Sequence, residues 1–271
     1  VTSLSASWVQ QRYRDPALKA LAYTNETIDV LLSHHSVRTF TDDPIDTETI
    51  ETIVAAAQSA PTSSNLQAWS VIAVRDPARK KRLAALAGNQ AFIAEAAVFL
   101  VFVADLGRAR RLAAAHDAEL GGADYFDSTI LGAIDAALAA QNAVVAAESL
   151  GWGTVYVGAV RNAPDEIAAE LALAEQSVPV VGSALGRAGE DTAGVKPRLP
   201  ISSVLHHENY DAVVADAAVP VHEQRLSEYY VTQGRTSSWI SSVLSRLRSG
   251  EAIGSRVTLR QSFESLGWKS R

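Results

Sequence analysis

Three ring or guanidinium donors and a hydroxyl stand within five residues in His34-His35-Ser36-Val37-Arg38. That combination suits a loop that grips a phosphate, because these donors match the oxygen geometry of an anion. A second cationic cluster, Lys196-Pro197-Arg198, contains a proline that stiffens the backbone, so two charges are presented with little entropy to lose. Two such loops suggest one anion, against the plainer reading of each as surface decoration. The paired histidines also resemble a metal site, but neighbouring side chains diverge and no third ligand lies at helical spacing, so no metal is expected. There are no cysteines, which excludes disulfides and a cysteine nucleophile and leaves redox work to a bound cofactor. Gly151-Trp152-Gly153 runs on into Thr154, Val155 and Tyr156, so a dinucleotide fingerprint with a third glycine opening a helix is missing. No P-loop pattern occurs, and Gly182-Ser183 lacks the spacing of a nucleophile elbow. His206, His207 and His222 read as surface or interface residues without a role.

The elements that must position these loops follow from pattern. Asp46 caps a helix whose apolar face is Ile50, Ile53, Val54 and Ala57, and Pro61 ends it. After the polar turn Thr62-Ser63-Ser64-Asn65 comes a strand from Trp69 to Val74, then a helix begun near Pro77 with Lys80, Lys81 and Arg82 on its solvent face. The run Ala97 to Ala104 is too continuously apolar for a half-exposed strand, so it is expected to be buried on both faces. Residues 127–150 form the longest helix, capped by Asp127 or Ser128 and ended by Gly151. Ile130, Leu131, Ile134, Leu138, Val144 and Val145 spread its apolar surface widely, so protein should surround it, one side facing a partner subunit. Strands at Thr154–Val157 and Val178–Leu185 flank a helix with Pro164 in its first turn and Asp165 and Glu166 near its positive end. By alternation alone this reads as one α/β domain with a C-terminal helical arm, a polar loop over 191–200, and a partly helical extension over Val1–Thr24.

With 48% hydrophobic and 20% charged content, the 271 residues have the profile of a globular chain. The net charge of −6 argues against general nucleic-acid binding. It is uneven: residues 225–271 hold eight Lys or Arg against three Glu, so that segment is +5 and the remainder −11. A basic tail on an acidic body either meets an anion or is a solvated surface. The apolar stretch Ala96–Ala104 is shorter than the roughly 18 residues of a membrane span, and the first residues carry charges where a signal peptide is apolar. A cytoplasmic protein with no membrane or nucleic-acid partner is expected.

Six segments in order carry a resemblance: His34-His35-Ser36-Val37-Arg38-Thr39-Phe40; Asp43-Pro44-Ile45; Ser63-Ser64-Asn65-Leu66-Gln67; Ala140-Gln141-Asn142-Ala143 with Ala147-Glu148-Ser149-Leu150-Gly151; Val155-Tyr156-Val157-Gly158; and Lys196-Pro197-Arg198-Leu199-Pro200. Over residues 27–268 the chain resembles the nitroreductase family, and within it the branch of NADPH-preferring, oxygen-insensitive nitroreductases and flavin reductases. The resemblance implies an α+β fold with a central mixed sheet wrapped by helices, an intertwined homodimer, and FMN bound at the subunit interface. It divides the chain into an extension (1–26), an FMN-binding core (27–210) and a helical arm of the same domain (211–271).

It also implies site residues. His34, His35, Ser36 and Arg38 form the first FMN loop, with Lys196 and Arg198 on the phosphate. Ser63, Ser64, Gln67 and Gln90 approach the flavin from the other side, and Tyr156, Val157 and Gly158 lie beside the ring. Arg38 stabilises the negative charge of the reduced flavin, and no acid or base residue is essential. NADPH, with NADH as the alternative, would meet Gln233 and Arg235 after Glu228-Tyr229-Tyr230, with Arg246 or Arg248 as substitutes. The implied activity is a ping-pong transfer of hydride from NAD(P)H through FMN to a small-molecule acceptor: a nitroaromatic, a quinone or free flavin. The alternatives are a flavin reductase supplying a partner monooxygenase and a non-catalytic flavin-binding or nucleotide-binding protein. Two departures matter: His35 replaces an arginine usual in this branch, and Asn65 stands where some relatives place an aromatic over the substrate.

Overall fold

Eight consecutive residues, Val98–Asp105, make one of the two inner strands of the sheet, and seven of them are buried. The computed structural model describes residues 4–190 and 193–271; Val1–Ser3 of the extension and Asp191 and Thr192 of the expected 191–200 loop lie outside the described residues. In chain order the chain begins with α1 (Leu4–Tyr13), α2 (Glu26–Ser33), α3 (Thr47–Gln58), β1 (Trp69–Val74), α4 (Pro77–Leu86), α5 (Phe92–Glu95) and β2 (Val98–Asp105). It continues through α6 (Gly107–Ala115), α7 (Phe126–Ser149), β3 (Gly153–Val157), α8 (Pro164–Glu170) and β4 (Ser177–Gly186). The rest is helical: α9 (Ala212–Ala217), α10 (Val219–Thr232), α11 (Trp239–Leu247), α12 (Gly250–Ile253) and α13 (Leu259–Ser265). These elements fall into two compact units, each discontinuous in sequence: residues 1–35 with 192–252, and residues 36–191 with 253–271.

The sheet belongs to the second unit, in the order β1-β2-β4-β3. All its strand pairs are antiparallel, and parallel pairing is confined among the described residues to a single bridge, Ser36 with Thr154. The fold is therefore α+β, and alternation alone misled. Helices cover both faces of β2 and so give it the unbroken apolar run more often found in parallel strands. Phe99, Val101 and Val103 face a layer that includes Leu83, Ile93 and Ile167. Val98, Leu100 and Phe102 face Ile50 and Ile53 of α3 and the alanines 136, 139, 140, 143 and 147 of α7.

Asp46 caps α3 as expected, its carboxylate accepting from the Thr49 amide at 2.7 Å. At α7 the cap differs. Tyr125 precedes the helix without a side-chain cap bond, Asp127 sits in the first turn beside the positive end, and the Ser128 hydroxyl donates to the Gly122 carbonyl. Gly151, at φ +78°, ends this segment in the left-handed region that favours glycine. Helix α7 is long and apolar enough to span a membrane by length and composition, yet its alanine face is part of the core. Nor is it surrounded within one chain, because Phe126, Ile130, Ile134 and Leu138, each four residues apart, are 57%, 43%, 50% and 39% exposed. Lys80 also departs from expectation. It is buried, its ammonium donates to the Ala96 carbonyl, and burial pulls its pKa down, so three consecutive basic residues do not share a solvent face.

The first unit is helical. Helices α1 and α2 pack on each other, and Val9 is fully buried. The Arg225 guanidinium, from α10, pairs with Asp15 at 3.3 Å and donates to the Tyr13 carbonyl.

Candidate functional site

Within the first unit the start of the first loop, at His34, is joined to the Lys196–Arg198 segment through Arg12. Residues 195–198 alternate in burial, Val195 and Pro197 inward and Lys196 and Arg198 outward, so both cations project into solvent from one extended segment. The segment is tied to α1 and to the end of α2 through Arg12, which is 6% exposed. Arg12 Nη1 donates to the Lys196 carbonyl at 3.0 Å, and Nη2 to the carbonyls of Leu32 (2.8 Å) and His34 (2.5 Å). In return, the Arg198 amide donates to the Arg12 carbonyl at 2.9 Å. His222, expected at a surface or interface, is buried and meets the Trp239 ring edge-on at 5.1 Å. Burial lowers the pKa of His222. Beside it lies an apolar cavity of about 530 Å³ that Tyr13, Leu199 and Trp239 help to line.

Lys196 also lies 5.3 Å from the centre of the Tyr230 ring, and Arg235 lies 6.0 Å from the same ring. The two cations assigned separately to FMN and NADPH thus share one aromatic neighbour. Gln233 is the C-cap of α10, and Gly234 at φ +64° turns the chain so that the Arg235 amide bonds back to the Tyr230 carbonyl at 2.9 Å. The +5 tail is partly engaged inside the protein. Lys269 joins Arg110 on Asp124, and Arg256 donates to Asn162 at 2.8 Å, whereas the residues Arg246 and Arg248 are exposed.

The His34–Arg38 run crosses from the first unit into the second at Ser36. There Ser36 bridges to Thr154, and the Val37 amide donates to the Thr154 carbonyl at 2.9 Å, so this loop lies along β3. Val37 is buried and Arg38 exposed, its Nη1 at 3.5 Å from the Ser36 carbonyl. Tyr156 and Val157 end β3 and lead into the tight turn begun by Gly158; the Tyr156 hydroxyl donates to Gln141 at 3.2 Å, and burial pushes its pKa up. Half-buried Gln90 donates to the Ala87 carbonyl at 3.0 Å in the turn after α4. His35 Nδ1, the departure in the first loop, lies 3.2 Å from the Ser33 carbonyl.

Ser63, Ser64, Asn65 and Gln67 occupy a loop before β1, and their side chains are exposed. Three of these non-glycine residues have positive φ: Ser64 at 49°, Asn65 at 54° and Gln67 at 51°. Such backbone costs on the order of 1 kcal/mol per residue and persists only where the surroundings over-determine it. Asp135, on the buried face of α7 and 2% exposed, supplies that constraint. Its carboxylate accepts from the Thr62 hydroxyl (2.6 Å), the Ser63 amide (3.1 Å) and the Ala68 amide (3.0 Å). A recess of about 550 Å³ opens beside this loop, with Asn65, Gln67, Trp69 and Arg108 in its wall.

The sheet keeps two groups of expected site residues apart. Ser36, Arg38 and Tyr156–Gly158 are at the β3 edge, whereas the 63–67 loop enters at the β1 edge, across a four-strand sheet roughly 14 Å wide. Two residues escaped the sequence reading. Asp135 had a signal, the one carboxylate between the end turns of an alanine-rich apolar helix, where a buried charge needs partners. Arg12 had none, because its partners are main-chain carbonyls remote in sequence.

Comparison with known proteins agrees with this architecture. The nitroreductase family model matches residues 31–187, and the model of the nitroreductase family C-terminal domain matches residues 196–271. The FMN reductase (NADPH) of Bacillus subtilis is 38% identical over 232 residues, covering 83% of this chain and 92% of that protein. The oxygen-insensitive NADPH nitroreductase of Salmonella typhimurium is 39% identical over 216 residues, covering 79% and 87%. The structure of the NADPH:FMN oxidoreductase from Vibrio harveyi complexed with NAD+ superposes with a TM-score of 0.80 at 35% identity, covering 91% of this chain and all of that one. In sequence and in fold alike, the chain belongs to the nitroreductase family.

Proposed function

We propose that this protein is an FMN-dependent oxidoreductase that takes hydride from NAD(P)H, with NADPH preferred, and reduces nitroaromatics, quinones or free flavin in a ping-pong cycle. The observation that carries the reading is that buried Arg12 ties the start of the first loop, at His34, to the segment holding Lys196 and Arg198. Their donor chemistry fits the phosphate of FMN: two exposed cations from one extended segment, with neighbouring carbonyls drawn inward. When bound, FMN supplies the two-electron redox chemistry. Lys196, Arg198 and the 34–36 loop hold its phosphate end, and Arg38 provides the cation that stabilises negative charge on the ring. Tyr156, Val157, Gly158 and Gln90 border the ring, and Ser63, Ser64 and Gln67 approach it from a different loop. No side chain need act as acid or base, because solvent can protonate the product.

The active form is a homodimer in this reading. The apolar stripe on α7 supports it, as does the placement of the 63–67 loop and the Arg38 loop at opposite sheet edges, which a second copy can reconcile. Arg235, with Gln233 beside it, takes the 2′-phosphate of NADPH, supported by its exposure at the end of α10. The location is cytoplasmic in this reading, supported by the packing of the one long apolar helix, α7, into the core. The flavin reductase alternative draws support from Asn65, which leaves a small polar residue over the recess where some relatives carry an aromatic.

An absorbance spectrum of the purified protein from about 300 to 550 nm, followed by anaerobic NADPH, tests the core of the proposal. Flavin bands that bleach support it, and a colourless protein that cannot be reconstituted with FMN refutes it. Turnover on free FMN against a nitroarene then separates flavin reductase from nitroreductase, and any NADPH oxidation excludes a non-catalytic binding protein. Arg38→Ala should lower flavin retention and the rate of reduction by NADPH together; a variant with both intact removes Arg38 from the site.

A further inference from the structure

Arg12 precedes the first residue that the family model matches, yet it touches both cationic loops. Its Nε and Nη2 reach the Leu32 carbonyl at 3.3 and 2.8 Å, Nη2 also reaches that of His34, and Nη1 reaches that of Lys196 at 3.0 Å. The Arg12 carbonyl closes the circuit by accepting from the Arg198 amide at 2.9 Å. We propose that Arg12 is a positioning residue for the phosphate of FMN, supplied by the N-terminal helix and setting the spacing of the His34 and Lys196–Arg198 loops. The inference rests on the assignment of those loops to the FMN phosphate.

The guanidinium suits this task because its donors lie in one rigid plane, so acceptors on separate loops are fixed at once. By engaging the carbonyls of His34 and Lys196, Arg12 neutralises acceptor groups that would repel an anion; the Lys196 carbonyl also accepts from Arg198 Nη1 at 3.3 Å, so Arg12 fixes the carbonyl on which Arg198 rests. Helix α1 is anchored well enough to act as the support. Val9 is fully buried, the Ser5 hydroxyl donates to Asp29, and Arg225 clamps the far end through Asp15 and Tyr13. A lysine at position 12 would keep the charge but could not span three carbonyls in a fixed plane.

The decisive readout is the ratio of dissociation constants for FMN and riboflavin, which share the ring system and differ in the phosphate. Both are titrated by flavin fluorescence on the deflavinated full-length chain, alongside the rate of FMN release from the holoenzyme. Arg12→Ala should weaken FMN by about 10- to 100-fold and leave riboflavin within about twofold, and Arg12→Lys should fall between. An unchanged ratio in Arg12→Ala, whether neither flavin weakens or both weaken equally, overturns the inference and leaves Arg12 a purely structural residue. If Arg12→Ala does not fold, Arg12→Lys decides by the same ratio. Lys196→Ala and Arg198→Ala separate the two levels of the claim. If they lower FMN selectivity and the Arg12 variants do not, only the positioning role falls; if they leave the ratio unchanged, the phosphate assignment itself falls.

Discussion

The chain at His34 and the Lys196–Arg198 segment, both in the first unit, and the 62–68 loop of the second are held by opposite chemistry. Arg12 is a buried donor that collects main-chain carbonyls, whereas Asp135 is a buried acceptor that collects two amides and a hydroxyl. A loop whose carbonyls are drawn inward presents donors and suits a phosphate. The 62–68 loop, whose Ser63 and Ala68 amides are drawn inward, leaves the side chains of Ser63, Asn65 and Gln67 exposed, a mixed set of polar donors and acceptors. In both cases the buried charge is satisfied by hydrogen bonds, as burial requires.

The strongest way to break this comparison is Asp135→Ala, which orphans the Ser63 and Ala68 amides and releases three residues with positive φ. The expected loss is about 3 kcal/mol, or a fall in melting temperature on the order of 8 °C by scanning fluorimetry. Acceptor kcat/KM should fall about tenfold while the FMN-to-riboflavin ratio stays unchanged, because the phosphate loops do not depend on Asp135. A selective loss of FMN affinity would show that the two loops are not independently prepared. A smaller change sharpens the ring side of the comparison. Asn65→Phe should add a stacking surface and lower the KM for a nitroarene by about fivefold, with little change for NADPH. An unchanged KM would place Asn65 away from the acceptor.

The smallest effect comes from a contact outside both regions. Glu170 ties α8 to α4, and hydrogen bonds from Arg82 and Arg79 hold its carboxyl down to about 2 from an ordinary 4.5. Its contribution is therefore complete above about pH 4.5 and disappears as pH falls through about 2. Glu170→Gln should lower the melting temperature by about 2 °C at pH 6, with the gap closing toward pH 2 and both flavin affinities unchanged. A gap that does not narrow in acid would mean that the pair contributes nothing through its charge.

Local chemistry was readable where neighbours in sequence are also neighbours in space. The Asp46 cap, the strand Trp69–Val74 at its full length and the two cationic loops all follow from short-range rules. Strand direction did not follow, because β2 is covered on both faces and an antiparallel strand so placed has the same apolar run as a parallel one. The solvent face expected for Lys80 failed for a related reason. A lysine stem can lie along apolar surface while its ammonium finds a carbonyl, here that of Ala96.

The sequence by itself determined the residue types able to hold an anion, the absence of cysteine chemistry and the motifs that mark the family. Tertiary structure alone decided that Arg12 binds loops far apart in the chain, that Asp135 restrains the strained turn before β1, and that the Arg38 and 63–67 loops lie at opposite sheet edges. The physical reason is that a carbonyl or amide has no residue identity. Which side chain satisfies it depends on where folding brings the backbone, and the amino-acid pattern does not record that meeting.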